Sequence, residues 1–428
     1  WTRATQSNPP PKTALAMFDL SVVIIGGGIG GLSCGVFLRR IGYKVHVYER
    51  AEEILPIGAA ISLWTNGVKV MNSLGLGKEM QEHGGQMDKM IYHSKMDEPL
   101  VNLDLNPMFQ KLGERGYPIA RGYLQQLLMD TYKSTGGQLS LGKTCKKIER
   151  VNPNDENSKV YAVFDDGSRS AVADILIGAD GIRSMVREYV IGKKLPIFYR
   201  YTNWNGLVKM SPNLGKFNEW IMWVGEGKRA SLMPVGKDRF YFFMGAPLPE
   251  NNTPPPRASE AMRDELKTLF KNFPKRVQNL INSIDVKRSC NRIPICDIDA
   301  LPTFNRGRVV LLGDSAHPTL PVMGQGGALA LEDSQVLSYM LQTSNVSVLD
   351  ALKRYVEHRK DRVHNIVLKG RKRVKQIYPR NEEDWKGTQK WYDELKGDKS
   401  LAKKVEKGLT HNLSQGPFPP RNVVRSKL

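Results

Sequence analysis

The chain of 428 residues has only four cysteines and seven histidines, and neither type forms a cluster. Cys34, Cys145, Cys290 and Cys296 are scattered with no CxxC, too sparse for a disulfide framework in a chain of this size. A reducing compartment is the expectation. No HExxH and no paired His/Cys spacing occurs, so no metal site is predicted. Long apolar runs are also missing. The longest, Val22 to Ile25 and Val309 to Leu312, are strand-sized, which predicts a soluble chain without a transmembrane helix. Negative charge is in the minority: 63 Lys plus Arg stand against 43 Asp plus Glu, a formal net charge of +20. That balance favours anionic partners such as nucleotides, carboxylates, nucleic acid or acidic membrane surfaces without choosing among them. With 40% apolar residues, the chain can build a sizeable core in two or three domains.

Residues 1–16 are polar and proline-rich and open on Trp1, which suggests a fusion scar, a processed end or a fragment outside the fold. From near Phe18 the pattern becomes regular. Leu20 to Ile25 reads as a buried strand, Ile29 to Arg40 as a helix and Tyr43 to Tyr48 as a second strand. Together they make a βαβ unit, the start of a doubly wound parallel sheet. Lys159 to Phe164, the turn Asp165-Asp166-Gly167 and Ser170 to Ile177 read as a hairpin leading into a buried strand. Ile197 to Leu248 is strand-like and aromatic, which predicts a second, sheet-rich domain. Asn251 to Pro256 reads as a loop, Ser259 to Phe270 as a charged helix, and Ala328 to Leu341 and the basic Val348 to Lys375 as further helices.

Gly26-x-Gly28-x-x-Gly31 falls between the first strand and the first helix, the context that a dinucleotide fingerprint requires. Gly26 permits a tight turn, Gly28 lets the backbone approach a pyrophosphate, and Gly31 lets helix pack on strand. Glu49 ends the second strand, beside Arg50, where a carboxylate can accept from a ribose 2′-OH. NAD and FAD share this fingerprint.

Two later motifs decide the cofactor. Asp174-(x)2-Ile177-Gly178-Ala179-Asp180-Gly181-(x)2-Ser184-(x)2-Arg187 is followed by Gly313-Asp314-Ser315-Ala316-His317-Pro318, Pro321 and Gly324-Gln325-Gly326-Gly327. With the glycine fingerprint, this order resembles the group A flavoprotein monooxygenases of the para-hydroxybenzoate hydroxylase class. The resemblance implies bound FAD, with Asp314 on the ribityl chain, Arg121 and Asp180 at the cofactor, and Gly58-Ala59-Ala60-Ile61 beside the isoalloxazine. It implies that Gly324, Gly326 and Gly327 open a helix facing the flavin pyrimidine edge. It also implies that NADH or NADPH reduces the flavin and leaves, that O2 adds at flavin C4a, and that the resulting hydroperoxide hydroxylates an electron-rich substrate.

Tyr201 to Val208, Val224 to Val235, Phe240 to Phe243 and Val367 to Arg373 narrow the resemblance to the bacterial FAD-dependent urate hydroxylases, over about residues 20–395. That implies urate, O2 and NAD(P)H as small-molecule partners and 5-hydroxyisourate as product. It places Arg229 at the urate ring as a charge-balancing guanidinium, preferred over Lys228 for planar contacts, and Tyr241 as a hydrogen-bonding partner. Trp204 and Asn205 are further lining candidates, with core packing as the equal alternative. The expected fold is α/β: a Rossmann-type FAD-binding domain with a parallel sheet, a mainly antiparallel-sheet substrate domain, and C-terminal helices. The expected boundaries are 17–80, 115–192 and 288–345 for the FAD domain, and 81–114 and 193–287 for the substrate domain. Residues 346–395 make the helical region and 396–428 a basic tail. The tail ends Ser426-Lys427-Leu428, the peroxisomal address, which predicts an import receptor as partner and a peroxisomal location. An aromatic-acid hydroxylase of the salicylate type is the alternative. A binding protein using the basic run Lys369 to Lys375 on nucleic acid or acidic lipid is the different-class alternative, and no nucleic-acid role is expected.

Overall fold

The structure, a computed structural model, describes residues 20–54, 59–236, 238–248, 259–343, 347–379, 381–397 and 407. The expected loop Asn251 to Pro256, Gly58 and the tripeptide Ser426-Lys427-Leu428 lie outside the described residues. The first part of the chain runs β1 (Ser21–Ile25), α1 (Ile29–Arg40), β2 (Lys44–Tyr48), β3 (Ala60–Leu63), α2 (Thr65–Ser73), α3 (Gly77–His83), β4 (Lys89–Ser94) and β5 (Pro99–Asp104). Next come α4 (Asn106–Leu112), β6 (Tyr117–Ala120), α5 (Arg121–Ser134), β7 (Gln138–Ser140), β8 (Cys145–Arg150), β9 (Val160–Phe164), β10 (Ile175–Gly178) and α6 (Met185–Ile191). The long strands β11 (Ile197–Lys209), β12 (Glu219–Gly225), β13 (Lys228–Val235) and β14 (Arg239–Pro247) precede α7 (Ala261–Leu269) and α8 (Lys275–Ser283). The chain closes with β15 (Asn291–Asp297), β16 (Asn305–Arg306), β17 (Val309–Leu311), α9 (Gly326–Thr343), α10 (Val348–Ile377) and α11 (Glu382–Gly397).

Two sheets carry the architecture. The first has the order β16-β17-β10-β1-β2-β7 and is parallel except for its β16 edge. Its central strands are continuous apolar runs such as Val22 to Ile25 and Ile175 to Ile177, buried on both faces, as a sheet covered by helices on each side requires. Helix α1 packs against α5 on one side and α9 on the other, and these helices place the first β-to-α turn at the carboxyl ends of the strands. The second sheet has the order β15-β11-β14-β13-β12-β4-β5, antiparallel except where β4 meets β12.

Period-two alternation assigns the two faces of this second sheet different tasks. Trp204, Phe242, Met244, Leu232, Trp223 and Phe240 point to one face, where they bury against α7 and α8 in a closed hydrophobic layer. The other face carries Tyr92, Met222, Met233, Tyr241 and Phe243, interrupted by polar groups, and looks toward the FAD-type sheet. That polar interruption is what opens a cavity there.

One expectation needs correction. Strand β15 pairs antiparallel with β11, so residues 291–297 belong to the second sheet, and the expected boundary at 288 moves past Asp297. The hairpin expected between Lys159 and Ile177 closes through Gly167 N to the Phe164 carbonyl, Phe164 N to Ser168, Ser170 N to Ala162 and the mutual bonds of Val160 and Ala173, and β9 also pairs with the upstream strand β8. Among the described residues, no helix is long and apolar enough to cross a membrane, and no group of three or more His, Cys, Asp or Glu is placed to hold a metal ion.

Candidate active site

The glycine turn forms the first wall. Gly26 sits at φ +111°, and a Cβ there would stand 2.3 Å from the Ala179 carbonyl oxygen, so no larger residue fits. A Cβ on Gly28 would meet no protein atom within 4 Å, and Gly28 caps α1 without a side-chain hydrogen bond. The first N–H groups of α1 therefore face an open cradle of the kind a pyrophosphate fills. Glu49 holds this turn: its Oε2 accepts from Gly27 N at 2.6 Å and its Oε1 from Ala51 N at 2.9 Å. Each oxygen keeps lone-pair capacity for a ribose hydroxyl. Arg50 next to it is exposed. Gln125, which sequence reading missed, ties α5 to the turn by donating to the Gly27 carbonyl at 2.7 Å.

Asp180 is engaged by its own chain. Its carboxylate accepts from Ser184 Oγ at 2.5 Å, Met185 N at 2.8 Å and Val186 N at 3.2 Å. It thus serves the free N–H groups that begin α6 and shapes the loop.

Asp314 follows β17 and has the opposite character. Its carboxylate opens to the cavity and takes no hydrogen bond from the described residues. Burial pushes it above the usual carboxylate range, against the pull of His317, Arg121 and Arg187. Arg121 begins α5, where its main-chain N–H donates to Ala59 at 3.1 Å. An acid exposed to the cavity without a protein partner, beside an open glycine turn and a nearby cation, is the donor and acceptor set that FAD requires, so the residues present fit the cofactor. Asp314→Ala is expected to weaken FAD binding by about 1–3 kcal/mol, read as flavin lost on gel filtration, because a ligand hydroxyl would lose its acceptor.

A buried ion network braces the loops around Asp314, and sequence reading missed it. Arg359 of α10 is fully buried and donates to Asp333 Oδ1 at 2.6 Å and Glu332 Oε2 at 2.8 Å. Asp333 Oδ2 accepts from Gly313 N at 2.8 Å and from His317 Nε2 at 2.6 Å. Glu332 Oε1 accepts from Asn66 Nδ2 at 2.7 Å, and that same amide reaches Gln325 Oε1 at 2.9 Å. Burial opposes both charges, but His317 and Arg359 hold Asp333, and Arg359 and Arg362 hold Glu332, below the usual carboxylate range. The signal was present in the sequence, since an adjacent Glu-Asp pair inside the apolar helix Ala328 to Leu341 must find buried partners.

Removing Arg359 takes one cationic partner from each of two buried carboxylates, leaving Asp333 with His317 and Glu332 with Arg362. Arg359→Leu should cost about 3–5 kcal/mol in urea denaturation. Because both carboxyls titrate lower folded than unfolded, their stabilisation is complete above the unfolded value of about 4 and drains as pH falls through it toward the folded values. The acid limb of the wild-type stability profile should therefore flatten in Arg359→Leu.

The cavity itself holds about 580 Å³, within the usual range for ligand sites. One wall is the loop Pro321 to Gly327 with Asp314, Ala60 and Ile61; Gly324, Gly326 and Gly327 all line it. The opposite wall is the polar-interrupted face of the second sheet, with Arg229, Tyr241, Phe243 and Asn203. Arg229 is 8% exposed and lies over the Phe243 ring at 4.7 Å. Lys228, one pleat position away, turns outward and pairs with Glu226 at 3.2 Å. Burial pushes the Tyr241 phenol up despite the nearby Arg229 charge, which keeps it a proton-bearing donor at neutral pH. From α10, Arg373 enters the same space over the Trp391 ring at 4.5 Å and donates to Gln376 Oε1 at 3.1 Å.

Two lining candidates change. Trp204 does not reach the cavity: it is fully buried on the helix side, where its Nε1 donates to Glu265 at 2.9 Å. Asn205 is buried and is not among the lining residues; its Oδ1 accepts from Asn291 at 3.4 Å. The residue that does line the cavity is Asn203, two positions earlier on the same face.

The family described as FAD binding domain matches residues 19–369. The chain belongs to the FAD-binding flavoprotein monooxygenases. It is 38% identical over 403 residues to the FAD-dependent urate hydroxylase of Mycolicibacterium vanbaalenii, covering 94% of this chain and 98% of that protein. It is likewise 38% identical over 402 residues to the FAD-dependent urate hydroxylase of Klebsiella pneumoniae subsp. pneumoniae, covering 93% of this chain and 100% of the relative. Among solved structures, Klebsiella pneumoniae HpxO complexed with FAD and uric acid superposes with a TM-score of 0.85 at 37% identity, covering 94% of this chain and 98% of that one. The flavoprotein thus carries its substrate-facing sheet in the same arrangement as a relative that was crystallised with uric acid.

Proposed function

We propose that this flavoprotein hydroxylates urate at C5: urate, O2, NAD(P)H and a proton give 5-hydroxyisourate, NAD(P)+ and water. The observation that carries the reading is one cavity in which the flavin-side loop Pro321 to Gly327 faces Arg229 and Tyr241. Bound FAD supplies electron transfer from the nicotinamide and activation of oxygen. The protein supplies the rest. Urate is an anion at neutral pH, and its C5 must attack an electrophilic oxygen as a nucleophile. Arg229 balances the ring charge in a space shielded from water, where a fixed cation acts more strongly than in solution. Tyr241 donates a hydrogen bond and fixes the ring, and Phe243 sets the plane of the guanidinium. The activity of the related urate hydroxylases supports the substrate.

The salicylate-type alternative would use the same arginines on a carboxylate. NADH oxidation with urate, salicylate and 3-hydroxybenzoate, each with substrate loss measured alongside, separates the two; stimulation and consumption with urate alone is expected. The basic-surface alternative loses two of its cations, since Arg371 pairs with Asp297 at 2.8 Å and Arg373 turns into the cavity. A peroxisomal location through an import receptor is part of the proposal and is supported by Ser426-Lys427-Leu428. A fluorescent protein carrying residues 396–428 should enter peroxisomes and lose that address without the tripeptide; diffuse distribution of the intact fusion contradicts it.

A further inference from the structure

The flavin-side wall of the cavity ends in Gly324-Gln325-Gly326-Gly327, a run in which Gln325 has the only side chain. Such a backbone has wide conformational freedom, and Gly324 uses it at φ +60°. Close approach to the segment β3–α2 explains the glycines. A Cβ on Gly327 would stand 2.2 Å from Ile61 Cδ1, one on Gly324 2.9 Å from Trp64 Nε1, and one on Gly67 3.1 Å from the Ala328 Cβ. Glycine gives the room for this contact but no side chain to hold it.

Gln325 supplies the anchor. It is buried, and its Oε1 accepts from Nδ2 of the fully buried Asn66, in the first turn of α2, at 2.9 Å. Among the described residues this is the one hydrogen bond from residues 321–327 to a segment other than the loop and α9. The same Asn66 nitrogen donates to Glu332 Oε1 at 2.7 Å. Glu332 is ionised and therefore acceptor-only: Arg359 bonds its Oε2, and Arg362 bonds both its oxygens. The Asn66 amide is left one orientation, since only its NH2 end can face a carboxylate, and Gln325 must answer with its oxygen. A chain of hydrogen bonds thus runs from two arginines through a carboxylate to the glycine loop.

We infer that Asn66 is a positioning residue which, through Gln325, fixes the glycine loop against the cofactor and so sets the reduction potential of bound FAD. Asn66 itself does not line the cavity, whereas Gly324, Gln325, Gly326 and Gly327 do. Helix α9 begins at Gly326, so its first free N–H groups and the positive end of its dipole lie at the cavity wall. Reduced flavin carries more negative charge than oxidised flavin, and N–H groups held at a fixed distance favour the more negative form. A loop that relaxes away from the cofactor loses this effect, which is confined to the first turn of a helix. The inference requires FAD and not urate, so it stands or falls apart from the substrate reading.

The test uses full-length, FAD-loaded wild type, Asn66→Ala, Gln325→Met and the double variant, all without urate. Each is reduced slowly under anaerobic conditions in equilibrium with a reference dye, which gives the flavin potential. Methionine keeps the length of Gln325 without its amide and leaves Asn66 on Glu332, so Gln325→Met removes the tether alone. Each single variant should lower the potential: at a fixed poise the ratio of reduced to oxidised flavin should fall about tenfold, about 30 mV for a two-electron couple. The double variant should shift no further than Asn66→Ala, because both changes break the same bond. A merely structural role would lower the melting temperature and leave the potential where it is. Wild-type potentials in the single variants, or shifts that add in the double, overturn the inference. If Asn66→Ala does not retain FAD, Gln325→Met decides alone, and a wild-type potential there overturns it equally.

Discussion

Arg229→Gln should continue to oxidise NADH while most of the oxygen consumed appears as hydrogen peroxide and urate survives. Glutamine keeps much of the side-chain length and its hydrogen-bonding capacity but carries no charge. In the present structure the guanidinium is 8% exposed, hydrogen-bonded to Tyr378 and stacked over Phe243, so its charge acts in a site largely closed to water. The step that needs this charge is attack by the urate ring. The loop Pro321 to Gly327, which would hold the flavin, forms the opposite wall, so reduction of a bound flavin would depend on this charge less. Loss of one such buried, pre-positioned donor typically lowers a chemical step by about 10²–10³-fold. The ratio of urate consumed to NADH consumed should collapse accordingly, with a smaller change in the rate of NADH-dependent flavin bleaching under anaerobic conditions. Tight coupling in a folded, FAD-loaded Arg229→Gln would place the activating charge elsewhere, with Arg373 the next group to substitute.

Gly28→Val should yield a folded protein that has lost its flavin. The distinction from the neighbouring glycine is physical. A Cβ on Gly26 runs into the Ala179 carbonyl at a backbone angle that side chains rarely adopt, so substitution there damages the turn itself. A Cβ on Gly28 meets no protein atom within 4 Å, so the fold has room for valine and only the ligand does not. Overpacking of this kind costs about 1–3 kcal/mol where neighbours can shift, and more against a pyrophosphate held by helix N–H groups. Purified Gly28→Val should keep its far-ultraviolet circular dichroism and lose the 450 nm flavin band; flavin content equal to wild type would refute the cradle.

The legible parts of this protein were those written locally. The βαβ unit from Ser21 to Tyr48 follows from one apolar run, a glycine turn and a helical period, all within 30 residues, and the structure reproduces α1 from Ile29 to Arg40 as read. What escaped depends on contacts distant in sequence. Whether Asn203 or Asn205 reaches a cavity is decided by what covers each row of the sheet, and the row of Asn203 is exposed only because Gly245 and Tyr378 shape it. Strand β15 falls on the FAD-domain side of the boundary expected at 288 until its pairing with β11 is known. Asp180 lies in a cofactor motif, yet its carboxylate is taken by the next helix, a capping geometry that the motif alone does not display. Arg359 looks like one basic residue among many in α10, and only the three-dimensional pairing with Glu332 and Asp333 separates it from the solvated face.

The central claim is that one cavity brings FAD chemistry to C5 of urate. Mass spectrometry of the product formed under 18O2, with FAD, NADH and urate and with both consumptions followed together, tests it most directly. The account predicts 5-hydroxyisourate carrying one 18O atom, formed in step with equal losses of urate and NADH. Unlabelled product, or urate left intact while another aromatic substrate is hydroxylated by the same preparation, would contradict it.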